Sequence, residues 1–238
     1  MTTHSPIAVV AGGGSGIGEA CAVRLGREGF HLVLVGRTPE KLEAVAARIA
    51  DAGGSAEAYP ADVRDWDQLE RLETRWAGTG VDLLINSAGG QFYAPTAELS
   101  PGGWKAVVDL NLTGAFHLCR RLYPALRKRR GGAVMVVADL WRKAAPGLAH
   151  SAAARAGVVS LTRTLALEWA RDGVRVNAVS PGLTDTPALH ERYAGLVDQV
   201  PLGRIGQVEE MAEAILFMAR APYVTGEVLA IDGGLHLV

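Results

Sequence analysis

The sequence is poor in the residues that mark several classes of protein. Its 238 residues contain two cysteines, Cys21 and Cys119, which fall in helical patterns without metal-ligand spacing. This pattern predicts two buried thiols in a reducing compartment rather than a disulfide, and no metal site. Lys and Arg number 24 against 25 Asp and Glu, so no excess of charge attracts nucleic acid or an anionic membrane surface.

Long apolar runs are also missing. No stretch approaches the length of about 20 residues that spans a bilayer. The first residues, MTTHSPIAVVAGG, lack a basic segment followed by a long apolar one. The last residues, GGLHLV, do not match the peroxisomal Ser-Lys-Leu signal. We therefore expect no membrane span and no targeting segment, and we expect a cytoplasmic location.

What the sequence does contain is a regular alternation of short β-branched runs and longer amphipathic stretches. The runs are IAVVAG, HLVLVG, SAEAYP, DLLINSAG, GAVMVVAD, VRVNAVSPG and EVLAID, and helical patterns cover about 16–28, 39–52, 65–77, 104–129, 150–171 and 207–220. This alternation predicts an α/β fold with a doubly wound, mainly parallel sheet of seven strands. No repeat or linker interrupts it, so residues 1–238 are predicted to form a single domain.

The motif AGGGSGIG follows the first predicted strand and opens the first predicted helix. Glycine lets the backbone approach a pyrophosphate closely, and a helix N-terminus adds N–H groups and the positive end of a dipole. Glycines alone would also suit a tight strand-to-helix turn, but this position favours nucleotide binding. The expected cofactor contacts are Gly12, Gly14, Ser15, Gly16, Ile17 and Gly18.

The end of the second predicted strand, VLVGRTPEKL, predicts which cofactor is used. An acidic residue here would bind the ribose 2′-hydroxyl and favour NAD. This chain has Arg37 and Thr38 instead, which suit a 2′-phosphate, so NADP(H) is preferred over NAD(H). The alternative is an exposed arginine before the helix start that Thr38 and Pro39 predict.

Four further stretches follow predicted strands or lie in a predicted helix: ADV at 61–63, NSAGG at 86–90, DLNLTG at 109–114 and SPGLTDTP at 180–187. With the glycine motif and TGEVLAIDGG at 225–234, they resemble the classical short-chain dehydrogenase/reductase family in its own order over nearly the whole chain. The resemblance implies a Rossmann-type sheet with NAD(P) across the carboxyl ends of the strands. It implies further cofactor contacts from Asp62, Val63, Asn86, Ala88, Gly89, Pro181, Gly182, Thr184 and Thr186.

The same resemblance implies a catalytic set of Asn, Ser, Tyr and Lys, and the chain departs from it. Asn111 matches, inside a helix that it is expected to distort, but Ser151 stands at the Tyr position, Arg155 at the Lys position and Ala138 at the Ser position. A serine hydroxyl is a far weaker acid than a tyrosine with a pKa of about 10. Ordinary reduction of a ketone is therefore not expected.

Ser151 and Arg155 lie four residues apart and share one face of a helix. Reduction of an α,β-unsaturated thioester gives an enolate, whose oxygen needs hydrogen-bond donors rather than full protonation. The stretches HSAAARAG and NSAGGQF resemble the family branch of the peroxisomal trans-2-enoyl-CoA and 2,4-dienoyl-CoA reductases. That resemblance implies NADPH-dependent reduction of an acyl thioester, with Arg155 at the cofactor ribose. Asp139 and His150 are the further candidates for a catalytic role.

Other hypotheses stay open at this point. The chain could be a non-catalytic NADP-binding protein of the same fold, or a carbonyl reductase with an atypical proton donor. Ser151 could be only a helix N-cap, Asp139 a turn residue and His150 a packing residue. The intact cofactor motifs in both halves of the chain argue against wholesale decay of the site.

Two predictions concern the surface. Residues 187–205 are expected to form a substrate lid, in which Leu189, Tyr193, Leu196 and Val197 would cover an apolar tail.

The helix at 150–171 is apolar on two sides, one through Val158, Leu161 and Leu165 and the other through Val159, Thr162 and Ala166. One side would be left exposed by a single chain, and the family resemblance implies that a homotetramer covers it.

Overall fold

Seven parallel strands form one sheet in the computed structural model, which describes residues 5–187 and 191–238, with residues 191–194 described by their backbone alone. The strands are β1 (Ile7–Ala11), β2 (His31–Gly36), β3 (Ser55–Pro60), β4 (Leu83–Asn86), β5 (Gly132–Val136), β6 (Arg175–Pro181) and β7 (Val228–Ile231). Their order in the sheet is β3-β2-β1-β4-β5-β6-β7, and the neighbouring strands are parallel. This is the doubly wound Rossmann arrangement, so the predicted fold class is confirmed.

Helices connect the strands and cover both faces of the sheet. They are α1 (Gly16–Arg27), α2 (Pro39–Asp51), α3 (Glu70–Trp76), α4 (Pro101–Val108), α5 (Gly114–Arg129), α6 (Ala149–Trp169) and α7 (Val208–Arg220). Short 3₁₀ turns cover Thr96–Glu98, Ala170–Asp172, Glu191–Gln199 and Leu235–Leu237. Within the described ranges, no helix combines the length and the apolar character that crossing a membrane requires.

Two helices differ from their predicted bounds for identifiable reasons. The helix predicted over 65–77 begins only at Glu70, because the Asp65 carboxylate accepts the N–H groups of Asp67 and Gln68 and holds a turn there. The helix predicted over 104–129 is two helices, α4 and α5. They are joined by a π-helical turn, Asp109–Thr113.

Buried side chains fill both faces of the sheet in alternation. Val9, Val33 and Leu84 pack beneath α3, α5 and α6, whereas the neighbouring residues of the same strands pack beneath α1, α2 and α7. Cys119 belongs to the first core and Cys21 to the second. Both are unbonded thiols, and burial raises the pKa of each to about 12, as expected for buried thiols.

Helix α6 buries both of its apolar sides within the chain, which corrects the expectation that one side is left exposed. Five of the six residues are buried, and Leu161 is half-buried. The buried ones are Val158, Leu165, Val159, Thr162 and Ala166. The reason is that α6 contacts β6, the π-helical turn and α4 together. Leu167, a large apolar residue of this helix, is exposed, with 82% of its surface accessible.

The position of the site follows from the pairing of β1 with β4 in the sheet. These two strands are neighbours, and the chain continues from them to opposite sides of the sheet. A doubly wound sheet binds its ligand in the crevice outside the carboxyl ends of the strands at this reversal. The loops after β1, β2, β4, β5 and β6 all end in that crevice.

Candidate active site at the carboxyl ends of the strands

A cavity of about 1170 Å³ opens at this edge of the sheet. Most of the predicted site residues line it: Gly12, Gly14, Ser15, Ile17, Arg37, Thr38, Asp62, Val63, Ala88, Gly89, Ala138, Asp139, Arg155, Pro181, Gly182, Thr184 and Thr186. Six others lie beside it without lining it: Gly16, Gly18, Asn86, Asn111, His150 and Ser151. The structure therefore brings the predicted residues into one place, and their individual roles stay predictions.

The glycine loop is shaped by close backbone contacts. Gly12 has φ +76°, and a Cβ on it would lie 2.8 Å from the carbonyl carbon of Ser87. A Cβ on Gly18 would lie 2.3 Å from the carbonyl oxygen of Gly12, so a side chain at either position would push the loop off its neighbours. Helix α1 starts at once, and its N-cap Ser15 makes no side-chain capping bond. The N-terminus of α1 therefore faces the cavity with N–H groups available to an anion.

The positive residues after β2 lie at one end of the cavity. Arg37 and Thr38 line it as predicted, and Thr38 precedes α2 without a side-chain capping bond. Lys41, on the first turn of α2, lines the same end, and the sequence analysis missed it. Its position could have identified it, because Lys41 follows Arg37 by four residues and lies in the first turn of α2.

Asp62 has a different partner from the one expected. Its carboxylate accepts the backbone N–H of Arg64 at 3.0 Å and pairs with the guanidinium of the same residue. The hydrogen bond from Arg64 holds the pKa of this carboxyl below its ordinary value. Asp62 still lines the cavity, but Arg64 occupies the carboxylate oxygens with which the predicted cofactor contact would be made.

Two buried asparagines hold the loop after β4. The side-chain oxygen of Asn86 accepts the N–H of Ala88 at 3.2 Å. Asn111 lies in the π-helical turn, where its amide donates to the carbonyls of Val107 and Gly90, both at 2.8 Å, and its oxygen accepts the N–H of Gly90 at 3.3 Å. The expected distortion of this helix is present. Both amide hydrogens of Asn111 are engaged, so its side chain acts on the loop and does not offer a donor to a water beside the substrate.

Ser151 is fully buried and lies behind another side chain. It is not a helix N-cap, because α6 begins at Ala149. Its hydroxyl donates to Oε1 of Gln91 at 2.8 Å and accepts from Nε of Arg155 at 3.3 Å. Gln91 lines the cavity and Ser151 does not. Gln91 belongs to the NSAGGQF stretch, but it was not among the site residues predicted from the sequence.

Arg155 places a buried positive charge in the lining of the cavity. It is 9% exposed, and no carboxylate among the described residues forms an ion pair with it. Burial lowers the pKa of its guanidinium to about 10, so the side chain is charged at neutral pH. A Cβ on Gly89 would lie 3.6 Å from its Nη2, which places the guanidinium against the loop after β4. A buried cation of this kind calls for a polar or anionic ligand.

Asp139 also lines the cavity. Its Oδ1 accepts from Oγ of Ser180 at 3.3 Å and lies 3.4 Å from Nε of Arg142. Burial raises the pKa of this carboxyl above its ordinary value, against the opposing effect of Arg142. Ala138, before it, offers no hydroxyl. Asp139 is therefore a carboxyl that lines the cavity and retains a proton more readily than an exposed one.

The predicted lid is described in part. Leu196 lines the cavity, and the segment is tied to the site by a backbone bridge between Thr184 and Gly206. Leu189 lies outside the described residues, as does the side chain of Tyr193. The lid function stays a prediction.

The donors and shape of this cavity fit a dinucleotide. Its volume exceeds the range of about 300–1,000 Å³ that is usual for small-molecule pockets, so a dinucleotide and a substrate both have room. The glycine loop lets its backbone approach the cavity before the N-terminus of α1, and the positively charged Arg155 also lines the cavity. A Cβ on Gly16 would lie 3.3 Å from Cγ2 of Thr186, so the glycine loop lies close to the segment after β6.

Comparison with known proteins gives the same assignment. Residues 11–236 match a family model described as enoyl-(acyl carrier protein) reductase. The chain is 36% identical to a probable 2,4-dienoyl-CoA reductase of Bacillus subtilis over 96% of each chain. It is 33% identical to a 3-oxoacyl-(acyl-carrier-protein) reductase of Thermotoga maritima over 99% of each chain. A crystal structure of an actinorhodin polyketide ketoreductase variant with NADPH superposes with a TM-score of 0.93 at 33% identity over 98% of each chain.

These matches cover the glycine loop, the loops after β4 and β6 and the helix that carries Arg155. They include a dienoyl-CoA reductase, which belongs to the branch that the sequence motifs resemble. The chain thus belongs to the short-chain dehydrogenase/reductase family, as an oxidoreductase that uses a nicotinamide cofactor.

Proposed function

We propose that the protein is an NADPH-dependent reductase of the carbon–carbon double bond of a 2-enoyl thioester, such as an enoyl-CoA. The observation that carries the proposal is the arrangement of Gln91, Ser151 and Arg155. It offers hydrogen-bond donors and a fixed positive charge at the place where the family pattern would have a phenol. The dienoyl-CoA reductase among the relatives supports the same substrate class.

The chain's own residues hold the cofactor in three places. Arg37 and Lys41 pair with the 2′-phosphate of NADPH, and the N-terminus of α1 binds the pyrophosphate. Arg155 binds the ribose hydroxyls next to the nicotinamide, which partly compensates the burial of its charge. When bound, NADPH supplies the hydride that the β-carbon of the substrate accepts.

Charge then develops on the thioester oxygen of the substrate. Gln91 donates to this oxygen from its carboxamide, and Ser151 fixes the carboxamide by donating to its oxygen. Arg155 adds a positive potential in a place that water does not screen. No strong acid is needed at the oxygen, because the enolate is stabilised there and protonated at carbon.

The proton for carbon comes from Asp139. Asp139 lines the same cavity as Arg155, and burial raises the pKa of its carboxyl. A carboxyl with a raised pKa holds a proton closer to neutral pH and transfers it readily to a carbanion.

A second candidate function is reduction of a carbonyl group with an atypical donor. The 3-oxoacyl-(acyl-carrier-protein) reductase among the relatives favours it, and so does the position of Tyr93 and Asp139 on the cavity wall. Against it, Ala138 lacks a hydroxyl that could orient a carbonyl beside the donor.

Oxidation of NADPH distinguishes the candidates. We expect turnover with crotonyl-CoA and longer 2-enoyl-CoA substrates, and little with a panel of 3-oxoacyl thioesters and simple ketones. Faster turnover of the ketones would replace the proposal with carbonyl reduction. Tight binding of NADPH without turnover of any of these substrates would instead identify a non-catalytic NADP-binding protein.

The homotetramer is part of the same proposal, together with a cytoplasmic location. Exposed apolar side chains on three helices support association: Phe116 on α5, Leu167 on α6 and Phe217 on α7. Light scattering at micromolar concentration is expected to give about four chains per particle, as closed symmetric assemblies of this kind often have. A monomer under these conditions would contradict the assembly.

A further inference from the structure

His150 is a buried imidazole with one edge engaged. It is the second residue of α6, and none of its surface is accessible. Its Nδ1 accepts the backbone N–H of Ser151 at 2.9 Å. Because Nδ1 must supply a lone pair to this bond, the neutral ring carries its proton on Nε2.

That Nε2–H has no hydrogen-bond partner among the described residues. Buried polar groups without a partner are rare in folded proteins, and they call for a specific explanation such as a role in catalysis. The edge that bears the Nε2–H points away from the Ser151 backbone, so the donor is held in a fixed direction by the bond on the other side of the ring.

The ring is covered by a side chain that lines the cavity. Phe92 packs edge-to-face on His150, with 4.6 Å between the ring centroids, and Phe92 is 44% exposed and lines the cavity. Gln91, the preceding residue, covers Ser151 in the same way through the 2.8 Å hydrogen bond. Two consecutive side chains of one loop thus cover two consecutive side chains of α6.

The loop that carries this cover is fastened at both ends. Gly90 is held by the side chain of Asn111 through two hydrogen bonds, and the N–H of Ala94 donates to the carbonyl of Gly147 at 2.9 Å. Residues 91–93 lie between these two anchors. The Phe92 ring can therefore turn about its own side-chain torsions without moving the backbone of the loop.

We propose that His150 is a catalytic residue that donates a hydrogen bond from Nε2 to the thioester oxygen, after the substrate displaces the Phe92 ring. The inference rests on the proposed function and completes it, because His150 and Gln91 then form a pair of donors around one oxygen. The imidazole donates a hydrogen bond without losing its proton. His150 thus binds the carbonyl oxygen of an acyl thioester.

Two substitutions test the roles of Nδ1 and Nε2 of His150 separately. His150→Asn keeps an acceptor near Nδ1 for the N–H of Ser151 and removes the distal donor. His150→Gln places an amide donor near Nε2. We expect His150→Asn to lower kcat on crotonyl-CoA by about tenfold or more, as expected when one oxyanion donor is lost. His150→Gln should retain most of the activity, and both should keep the NADPH affinity and the melting temperature.

Equal activity of all three proteins would overturn the inference. So would an equal loss in both variants together with a lower melting temperature, because that result assigns His150 to packing alone.

A binding measurement keeps this test separate from the proposed reaction. In the complex with NADP⁺, butyryl-CoA serves as a saturated probe that cannot be reduced. Its addition should shift the ¹⁵N resonance of the His150 Nε2, which is assigned by its absence in His150→Gln. An unchanged resonance at saturating butyryl-CoA would overturn the inference even for an active enzyme. If the unaltered protein reduces no enoyl thioester, the proposed function fails, and this titration alone decides the role of His150.

Discussion

The hydroxyl of Ser151 donates to the carboxamide oxygen of Gln91 across 2.8 Å, although the two residues are 60 positions apart in the chain. Ser151 is fully buried, whereas Gln91 lines the cavity. The residue at the family's tyrosine position is therefore separated from the substrate by a glutamine that it orients. We therefore expect Gln91 to contact the thioester oxygen of the substrate and Ser151 to orient Gln91.

Substitution of the two residues should give unequal effects. Gln91→Leu removes the donor to the thioester oxygen and should lower kcat on an enoyl-CoA by about 100–1,000-fold. Ser151→Ala only loosens the carboxamide and should lower kcat by about tenfold, with NADPH affinity and KM nearly unchanged. Steady-state kinetics and NADPH titration measure both effects.

Ser151→Thr is the matched control, because it keeps a hydroxyl at the same carbon. It should recover a large part of the activity that Ser151→Ala loses. An effect of Ser151→Ala as large as that of Gln91→Leu would mean that the hydroxyl itself contacts the substrate.

The sequence could predict Ser151 and Arg155 as neighbours because helical periodicity alone brings residues i and i+4 to one face. The glycine loop was equally predictable, since a strand, a glycine run and a helix follow one another directly in the chain. The seven strands were recognisable from short β-branched runs that parallel burial requires. These features are local, and local sequence determines them.

The contact between Gln91 and Ser151 could not be predicted in this way. It depends on the path of the loop after β4, which Asn111 fastens from a helix 21 residues further along the chain. The ion pair of Asp62 with Arg64 depends likewise on the turn after β3. The expected exposed side of α6 was wrong because periodicity gives the apolar faces of a helix but not the number of its neighbours.

Cofactor preference should depend on Arg37. The proposal pairs its guanidinium with the 2′-phosphate, and a charge-assisted bond of this kind contributes roughly 1.5–3 kcal/mol. Arg37→Asp should therefore reduce the preference for NADPH over NADH by about tenfold or more. Fluorescence titration with both cofactors measures the ratio.

Arg71→Asp is the control for this charge change, since Arg71 is exposed on α3 and does not line the cavity. It should leave the ratio unchanged. Equal affinity of the unaltered protein for NADPH and NADH would contradict the assignment of Arg37.

The pH dependence of turnover should follow Asp139. Burial raises the pKa of its carboxyl, so the acid form that donates a proton is present below that pKa. Turnover on an enoyl-CoA should fall as the pH rises through the pKa, and Asp139→Asn should lower kcat and remove this limb of the profile. A pH series of kcat for both proteins measures the effect.

The free energy of unfolding should also fall as the pH rises through the pKa of Asp139. A carboxyl whose pKa is raised in the folded state favours folding while it is protonated, and this contribution is lost as the pH rises through the folded pKa. Asp139→Asn should flatten the melting temperature over that range, whereas Asp185→Asn, an exposed carboxyl after β6, should not. A profile of kcat that is identical in Asp139→Asn and the unaltered protein would exclude Asp139 as the proton donor.

Arg155 should show a conflict between stability and binding. Its pKa is lowered from 12.5 to about 10 by burial. Each pKa unit corresponds to about 1.36 kcal/mol, so the charged side chain costs folding free energy on the order of 3 kcal/mol at neutral pH. Arg155→Met replaces it with a neutral side chain of similar length. The variant should melt at a higher temperature than the unaltered protein when no cofactor is present.

The same substitution should remove the gain in melting temperature that NADPH confers, because binding to the folded state stabilises only as far as affinity is retained. Arg163→Met, at an exposed position further along α6, should change neither quantity. Thermal melting with and without NADPH measures both effects. A lower melting temperature of Arg155→Met without cofactor would mean that Arg155 contributes more to folding through its bond to Ser151 than burial of its charge costs. Undiminished stabilisation by NADPH would mean that the buried guanidinium does not bind the cofactor.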